Sequence, residues 1–176
     1  NGITIESEIV LSGADYHHTE TLLNKEYRGY SEKYWDKKIF APSSLLFYVG
    51  FDKKIEKVSH HTLFFDTDFD QHAKEIYDNP RWPTKPLFYA SFPSKTDNTV
   101  APSGQEAGIF LIPIAPGIND TPEIRAEYFD KIIERFEQLT NQKVKEHILF
   151  KESYCANDFV NDYNSYKGNA YGLANI

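Results

Sequence analysis

Apolar and polar positions alternate in short runs along most of the chain. Residues 43–51, 87–92 and 108–115 form apolar runs of strand length, and residues 60–66 and 144–154 are predicted as further strands. The opening segment, residues 3–13, alternates well enough for one more strand. Within the run 108–115, Pro113 predicts an edge, a bulge or a strand end, because proline cannot donate to a sheet ladder.

Helical patterns separate the strands, and the clearest one begins at Thr121. This residue is a suitable N-cap, Pro122 follows at the first helical position, and Glu123 lies in the first turn. Apolar residues then recur at helical spacing, which predicts an amphipathic helix over 121–140. Shorter helices are predicted within 14–23, 68–78 and 157–164. This order predicts an α+β fold of one domain, 1–176, with a mixed, largely antiparallel sheet of about five strands and helices packed on one face.

Composition narrows the possible partners. Aromatic residues make up 15% of the 176 residues, which indicates either aromatic-rich strands or a surface built for a large apolar ligand. The net charge of −7, without a basic patch, argues against nucleic acid. No apolar run approaches the roughly 20 residues of a membrane-spanning helix. A single cysteine, Cys155, excludes an internal disulfide and is typical of a reducing compartment.

Few residues form a recognisable catalytic or metal-binding motif. The glycines lack both the G-x-G-x-x-G spacing and a P-loop, so the chain carries no standard dinucleotide fingerprint of its own. Two histidine doublets, His17-His18 and His60-His61, could bind a metal, face a ligand or simply pack. Adjacent strand residues point to opposite faces, so no metal site is predicted. Cys155 has no nucleophile signature and is predicted to be structural.

The closing stretch, "DFVNDYNSYKGNAYGLANI", combines aromatic residues with glycine and asparagine. Its aromatic side chains could complete a core. Gly168 and Asn164 instead indicate a backbone that turns sharply or that something approaches closely. Aromatic rings beside such a backbone would suit a planar or polyene ligand.

Four segments of the chain resemble one known family. "SSLLFYVGFDKKIEKVSHHTLFF", "PLFYASFPSKTDNTVAPSGQEAGIFLIPIA" and "DFVNDYNSYKGNAYGL" are similar to the bacterial phytoene desaturase family of FAD-dependent carotenoid desaturases. "LSGADYHHT" resembles that family's "NADYxxT" segment, with Gly13 where asparagine is common. The segments follow the family's order over nearly the whole chain. The resemblance implies the substrate-binding part of a longer flavoenzyme, in which residues 1–15 form a strand returning from the flavin domain and 166–176 lead back to it.

The resemblance also implies an activity, a cofactor and a location. The parent enzyme would introduce C=C bonds into a carotenoid precursor, a long polyene, and would lie in the cytoplasm with peripheral contact to the cytoplasmic membrane. FAD is expected in the full-length parent, with none bound to this chain alone. Two alternatives stay open: a non-enzymatic binding module for an apolar ligand or partner, and a related flavoenzyme with a different substrate.

Site residues follow from the same resemblance. A polyene offers almost nothing to hydrogen-bond, so it must be recognised by burial in an aromatic and aliphatic tunnel. The expected substrate-binding residues are Tyr48, His61, Phe65, Tyr89, Tyr163, Asn164 and Gly168. Ala14 and Asp15 are expected near FAD in the parent. No residue is assigned a catalytic acid–base role.

Overall fold

The structure, a computed structural model, describes residues 2–174, so the outermost residues of the two predicted terminal segments lie outside it. Five strands form one sheet in the order β2-β3-β4-β1-β5. The strands are β1 (Ser43–Phe51), β2 (His61–Phe64), β3 (Phe88–Ser91), β4 (Glu106–Ile114) and β5 (Ile148–Tyr154). The helices are α1 (Tyr16–Thr21), α2 (Glu32–Asp36), α3 (Phe69–Tyr77), α4 (Pro122–Thr140) and α5 (Ala156–Tyr163).

The core lies between the sheet and α4. The Thr121 side chain accepts a hydrogen bond from the Ile124 N–H at 3.3 Å, and Asn141 ends the helix with a left-handed φ of 52°. Between these ends α4 presents a buried apolar stripe, as the sequence predicts. The stripe packs on alternate residues of the central strands, and the shared core includes Leu45, Phe47, Phe110, Ile112, Phe129, Ile132, Ile133 and Phe136.

The predicted α+β class and five-strand sheet are confirmed, with two differences in detail. Every strand pair in the described part of the chain is antiparallel, so the sheet is not mixed. Helices also lie on both faces, because α3 packs against residues of β3 and β4 that point away from α4. Pro113 is the next-to-last residue of β4, so the strand-end reading of this proline is correct.

The strand predicted at the start of the chain, within 1–15, is not formed. Residues 2–13 have no regular structure, and Ile3, Ile5 and Leu11 are at least 80% exposed. Alternation shows only that one face of a segment could be buried. A strand also needs a neighbour that completes its backbone hydrogen bonds.

Residues 170–174, at the end of the described chain, lie beside residues 39–42, which precede β1. Backbone hydrogen bonds join Ala41 N–H to the Gly172 carbonyl at 2.9 Å, Ala170 N–H to the Pro42 carbonyl at 3.1 Å, and Ala174 N–H to the Ile39 carbonyl at 3.0 Å. An aromatic cluster around buried Trp35 stabilises this region, formed by Tyr16, Tyr30, Tyr34 and Phe40. The segments 1–15 and 166–176, predicted to lead to and from a flavin domain, touch at a separate contact, because the Asn169 side-chain amide donates to the Asp15 carboxylate at 3.2 Å.

Candidate functional site

The sheet face that points away from α4 is the first candidate site and is called the open face. Directly paired residues of neighbouring strands point to the same side, so the register identifies two rows that cross all five strands. The first row is Leu63, Tyr89, Leu111, Leu46 and Tyr154, and the second is His61, Ser91, Ile109, Tyr48 and Glu152. With strands about 4.8 Å apart, each row is about 19 Å long. The open face is therefore a wide surface that is largely apolar in its first row.

An apolar groove lies at one end of the open face, between α3 and strands β2, β3 and β4. Its volume is about 350 Å³. Leu63, Tyr89 and Leu111 of the first row form its floor, and Ala73, Ile76 and Tyr77 of α3 form a wall. The rest of the lining is Pro42, Phe65, Phe69, His72, Leu87, Phe88 and Pro113. The helix predicted within 68–78 thus turns Phe69, Ala73, Ile76 and Tyr77 towards the groove.

His72 is a buried polar residue in this apolar groove. Its Nδ1 accepts a hydrogen bond from the Leu87 N–H at 3.1 Å, and its Nε2 lies 2.8 Å from the Pro113 carbonyl oxygen. Because a carbonyl can only accept, Nε2 carries the proton and the ring is neutral. Burial lowers the pKa of His72, which favours the same neutral form. Sequence reasoning missed this residue, although helical spacing places it between Phe69 and Ile76 on the apolar face of α3.

Four of the predicted substrate-binding residues come together on this surface. Tyr48, His61 and Tyr89 belong to the open face, and Phe65 lines the groove beside Tyr89. His61 Nδ1 and the Tyr89 hydroxyl are hydrogen-bonded at 2.5 Å. This bond engages the Tyr89 hydroxyl, so the tyrosine presents mainly its ring to the surface.

The other predicted residues lie around a second surface, the terminal cleft. It has a volume of about 630 Å³ and is lined by residues 13–16, 159, 163, 165 and 169–172. Tyr163, Ala14 and Asp15 line it. The Asp15 carboxylate is already hydrogen-bonded, because it accepts from the His18 N–H at 3.1 Å and from the Asn169 side-chain amide at 3.2 Å.

Asn164 and Gly168 have local backbone roles. Asn164 ends α5 in a left-handed conformation with φ of 54°. Gly168 has φ of +67°, and a Cβ atom on it would lie 2.5 Å from the Ala156 carbonyl oxygen. Both predicted features, a sharp turn and a close approach, are present, but the group that approaches Gly168 is the chain's own backbone.

The histidine doublets and Cys155 do not form a reactive centre. The His60 and His61 rings stack at 4.1 Å, since His60 precedes β2 and the alternation of strand side chains does not apply to it. Across residues 2–174 no three potential metal ligands are grouped together. Cys155 is buried, and burial raises the pKa of its thiol to about 12, with the Asp120 carboxylate acting in the same direction. None of the described helices is long and apolar enough to cross a bilayer.

Comparison with known proteins relates these surfaces to a family. No protein-family model matches the chain. It is 41% identical over 175 residues to a carotenoid 3,4-desaturase of Haloarcula japonica, a match that covers 99% of this chain and 35% of that protein. The chain is similar in sequence to a carotenoid desaturase over nearly its whole length. It is also 28% identical over 136 residues to a 4,4'-diaponeurosporene oxygenase of Staphylococcus aureus, covering 76% of this chain and 27% of that protein. A 4,4'-diaponeurosporene oxygenase of Staphylococcus haemolyticus is 26% identical over 141 residues, a match that covers 77% of this chain and 28% of that protein.

The similarity to carotenoid desaturases that the sequence predicted is confirmed. The chain spans about a third of the length of the Haloarcula desaturase, 35%. Because that match covers 99% of the chain, it takes in both the open face and the terminal cleft.

Proposed function

We propose that the chain is the substrate-binding part of an FAD-dependent carotenoid desaturase, an oxidoreductase of carotenoid biosynthesis that introduces C=C bonds into a carotenoid precursor. The observation that carries this proposal is the apolar open face with its groove, in a chain 41% identical to a carotenoid 3,4-desaturase. A polyene has almost no hydrogen-bonding groups. Its recognition must come from buried apolar area, at about 25 cal/mol per Å².

In this proposal the first row of the open face contacts the hydrocarbon. Leu63, Leu111 and Leu46 supply aliphatic contacts along the row, and the Tyr89 ring supplies a flat aromatic one. The hydroxyl of Tyr89 is hydrogen-bonded to His61, so it does not need a water molecule beside the polyene as its partner. These residues bind and orient the substrate and exclude water, and a cofactor performs the redox step.

FAD is the cofactor that the family resemblance implies, and when bound it would accept the hydrogens removed from the polyene. The terminal cleft fits one end of it. Tyr16, Tyr163 and Tyr171 provide aromatic contacts, and no lysine or arginine is among the residues that line the cleft. This lining suits an uncharged ring system but not a diphosphate, which binds at cationic side chains or glycine-rich helix starts. Ala14 and Asp15 are therefore proposed to lie beside the flavin ring alone.

Contact with a membrane belongs to the same proposal, because the substrate dissolves in lipid. The side chains of Phe65 and Phe69 at the groove are 60% and 62% exposed. With a net charge of −7, the chain gains nothing from anionic headgroups, so attachment is hydrophobic. Flotation of the complete gene product with liposomes should therefore change little between low and moderate salt. Release by moderate salt would contradict this part of the proposal.

A second candidate reaction is oxygenation, which the matches to the two staphylococcal oxygenases favour. Product analysis separates the two reactions. We expect the complete gene product, purified with FAD and incubated with an acyclic carotenoid, to yield a product lighter by H₂ and absorbing at longer wavelength. A product that has gained oxygen would support the oxygenase instead. Carotenoid binding without turnover would support the non-enzymatic binding module.

A further inference from the structure

The His72 ring replaces a missing backbone hydrogen-bonded pair between β3 and β4. Tyr89 of β3 is paired with Leu111 of β4, so the same register puts Leu87 opposite Pro113. Proline has no N–H and cannot complete that pair. The imidazole of His72 accepts from the Leu87 N–H and donates to the Pro113 carbonyl, so it bridges the two strands where their direct pairing stops.

This bridge shapes the apolar groove. An imidazole inserted between two backbones holds them further apart than a direct hydrogen bond would. The groove lies at this splayed end, and Leu87, Pro113 and His72 itself are part of its lining. The groove is also continuous with the open face, because Leu63, Tyr89 and Leu111 belong to both.

We infer that His72 is a positioning residue that holds open an end pocket for one terminus of the polyene, while the rest of the hydrocarbon lies across the open face. This inference rests on the proposed function. The groove, at about 350 Å³, is at the lower end of the sizes of ligand cavities and too small for a whole carotenoid. Its lining is almost entirely apolar, which suits a hydrocarbon terminus.

The bridge requires a neutral imidazole. If Nδ1 also carried a proton, its N–H and the N–H of Leu87 would face each other with no acceptor between them, because the Leu87 N–H points at Nδ1. The charged groups that bear on the ring are Glu75 on α3, which favours the protonated form, and Arg135 on α4, which opposes it. Arg135 is itself paired with Asp66, just after β2. Tyr77 from α3 and Tyr89 from β3 are the titratable groups in the groove lining beside the ring, and β4 contributes only apolar residues to it. Acidification should therefore close or distort the end pocket.

Three variants of the complete gene product test the inference, with lycopene in detergent micelles as the probe. Ala73→Phe fills the groove without removing either bond of His72. His72→Gln keeps one donor and one acceptor but cannot titrate, and His72→Leu removes both bonds. Ala126→Phe, the same change at an exposed position of α4, is the matched control. Thermal unfolding of each variant reports whether it is folded.

We expect Ala73→Phe to weaken lycopene binding about tenfold and Ala126→Phe to leave it unchanged. Binding by the native protein should weaken as pH falls below about 6.5, because burial lowers the pKa of His72 from that value, and binding by His72→Gln should respond less to pH, because this variant lacks the buried imidazole. His72→Leu should bind weakly above and below that pH; if it does not fold, the other two variants decide. Unchanged affinity of Ala73→Phe, or an undiminished pH response of His72→Gln, would overturn the inference. If the native protein binds no lycopene at any pH, the proposed function itself fails.

Discussion

Glu75 shows at the scale of one residue how a buried charge fixes the loop beside the groove. Its carboxylate accepts hydrogen bonds from the Thr84 N–H at 3.0 Å, the Thr84 hydroxyl at 2.7 Å, Arg81 at 2.8 Å and Gln71 at 3.0 Å. Burial alone would raise its pKa. The hydrogen bonds outweigh burial and lower the pKa from 4.5 to about 2. The ionised carboxylate therefore holds the loop that connects α3 to β3.

The sign of this shift predicts a pH-dependent stability. A carboxyl group whose pKa is lower in the folded state stabilises the fold above its ordinary pKa, and this contribution is lost as pH falls from 4.5 towards 2. We expect Glu75→Gln to reduce the free energy of unfolding in urea by about 1–3 kcal/mol near neutral pH. The gap between native protein and variant should shrink below about pH 4. A gap that persists undiminished at the lowest pH, or that is absent at neutral pH, would contradict this account.

Gly168 and Gly172 form a natural pair for a second test. Both have positive φ, +67° and +84°, but a Cβ atom would meet the Ala156 backbone at Gly168 and nothing within 4 Å at Gly172. We expect Gly172→Ala to cost about 1 kcal/mol for the backbone conformation alone. Gly168→Ala should lower the melting temperature clearly further. Equal losses would show that the close approach to Ala156 contributes nothing.

Residue roles were the least predictable part of the site. The sequence singles out Gly168 and Asn164, but it cannot show that the group approaching Gly168 is Ala156, because that contact depends on how α5 folds back. The bridging role of His72 could not be predicted for a similar reason. Its partners, Leu87 and Pro113, are distant in sequence and are brought together only by the register of β3 and β4.

At the scale of elements, local signals were sufficient where the whole signal lies within one segment. Helix α4 has its N-cap, its proline and its apolar stripe in one continuous stretch, and β1 is a single apolar run, so both were predicted closely. The segment 3–13 has the alternation of a strand, but pairing depends on a partner that its own sequence does not specify. The structure gives it no regular structure.

Amide hydrogen exchange tests this contrast between elements. We expect slow exchange for the N–H groups of Ala41 and Ala170, which donate to carbonyls between residues 39–42 and 170–174 at 2.9 and 3.1 Å. The amides of residues 3–11 should exchange nearly as fast as those of an unstructured peptide. Protection over 3–11 in the 176-residue chain would mean that this segment has a strand partner after all.

At the scale of the whole molecule, the two candidate surfaces meet at one backbone contact. Pro42 lines the apolar groove, and its carbonyl accepts a hydrogen bond from Ala170, which lines the terminal cleft. This arrangement supports the proposal that a polyene on the open face reaches a flavin ring at the cleft. Through the family resemblance, the sequence alone identified three residues of the open face and one of the groove, but not the two rows that cross the five strands.

The central claim is that the open face binds a polyene, and one comparison tests it most directly. Leu63 lies on the open face and is 61% exposed, whereas Leu139 lies on α4, outside that face, and is 48% exposed. In the complete gene product we expect Leu63→Glu to weaken lycopene binding about tenfold or more, because a carboxylate would be desolvated against hydrocarbon. Leu139→Glu should bind lycopene as the native protein does, and both variants should remain folded. Equal lycopene affinity of the two folded variants would contradict the account.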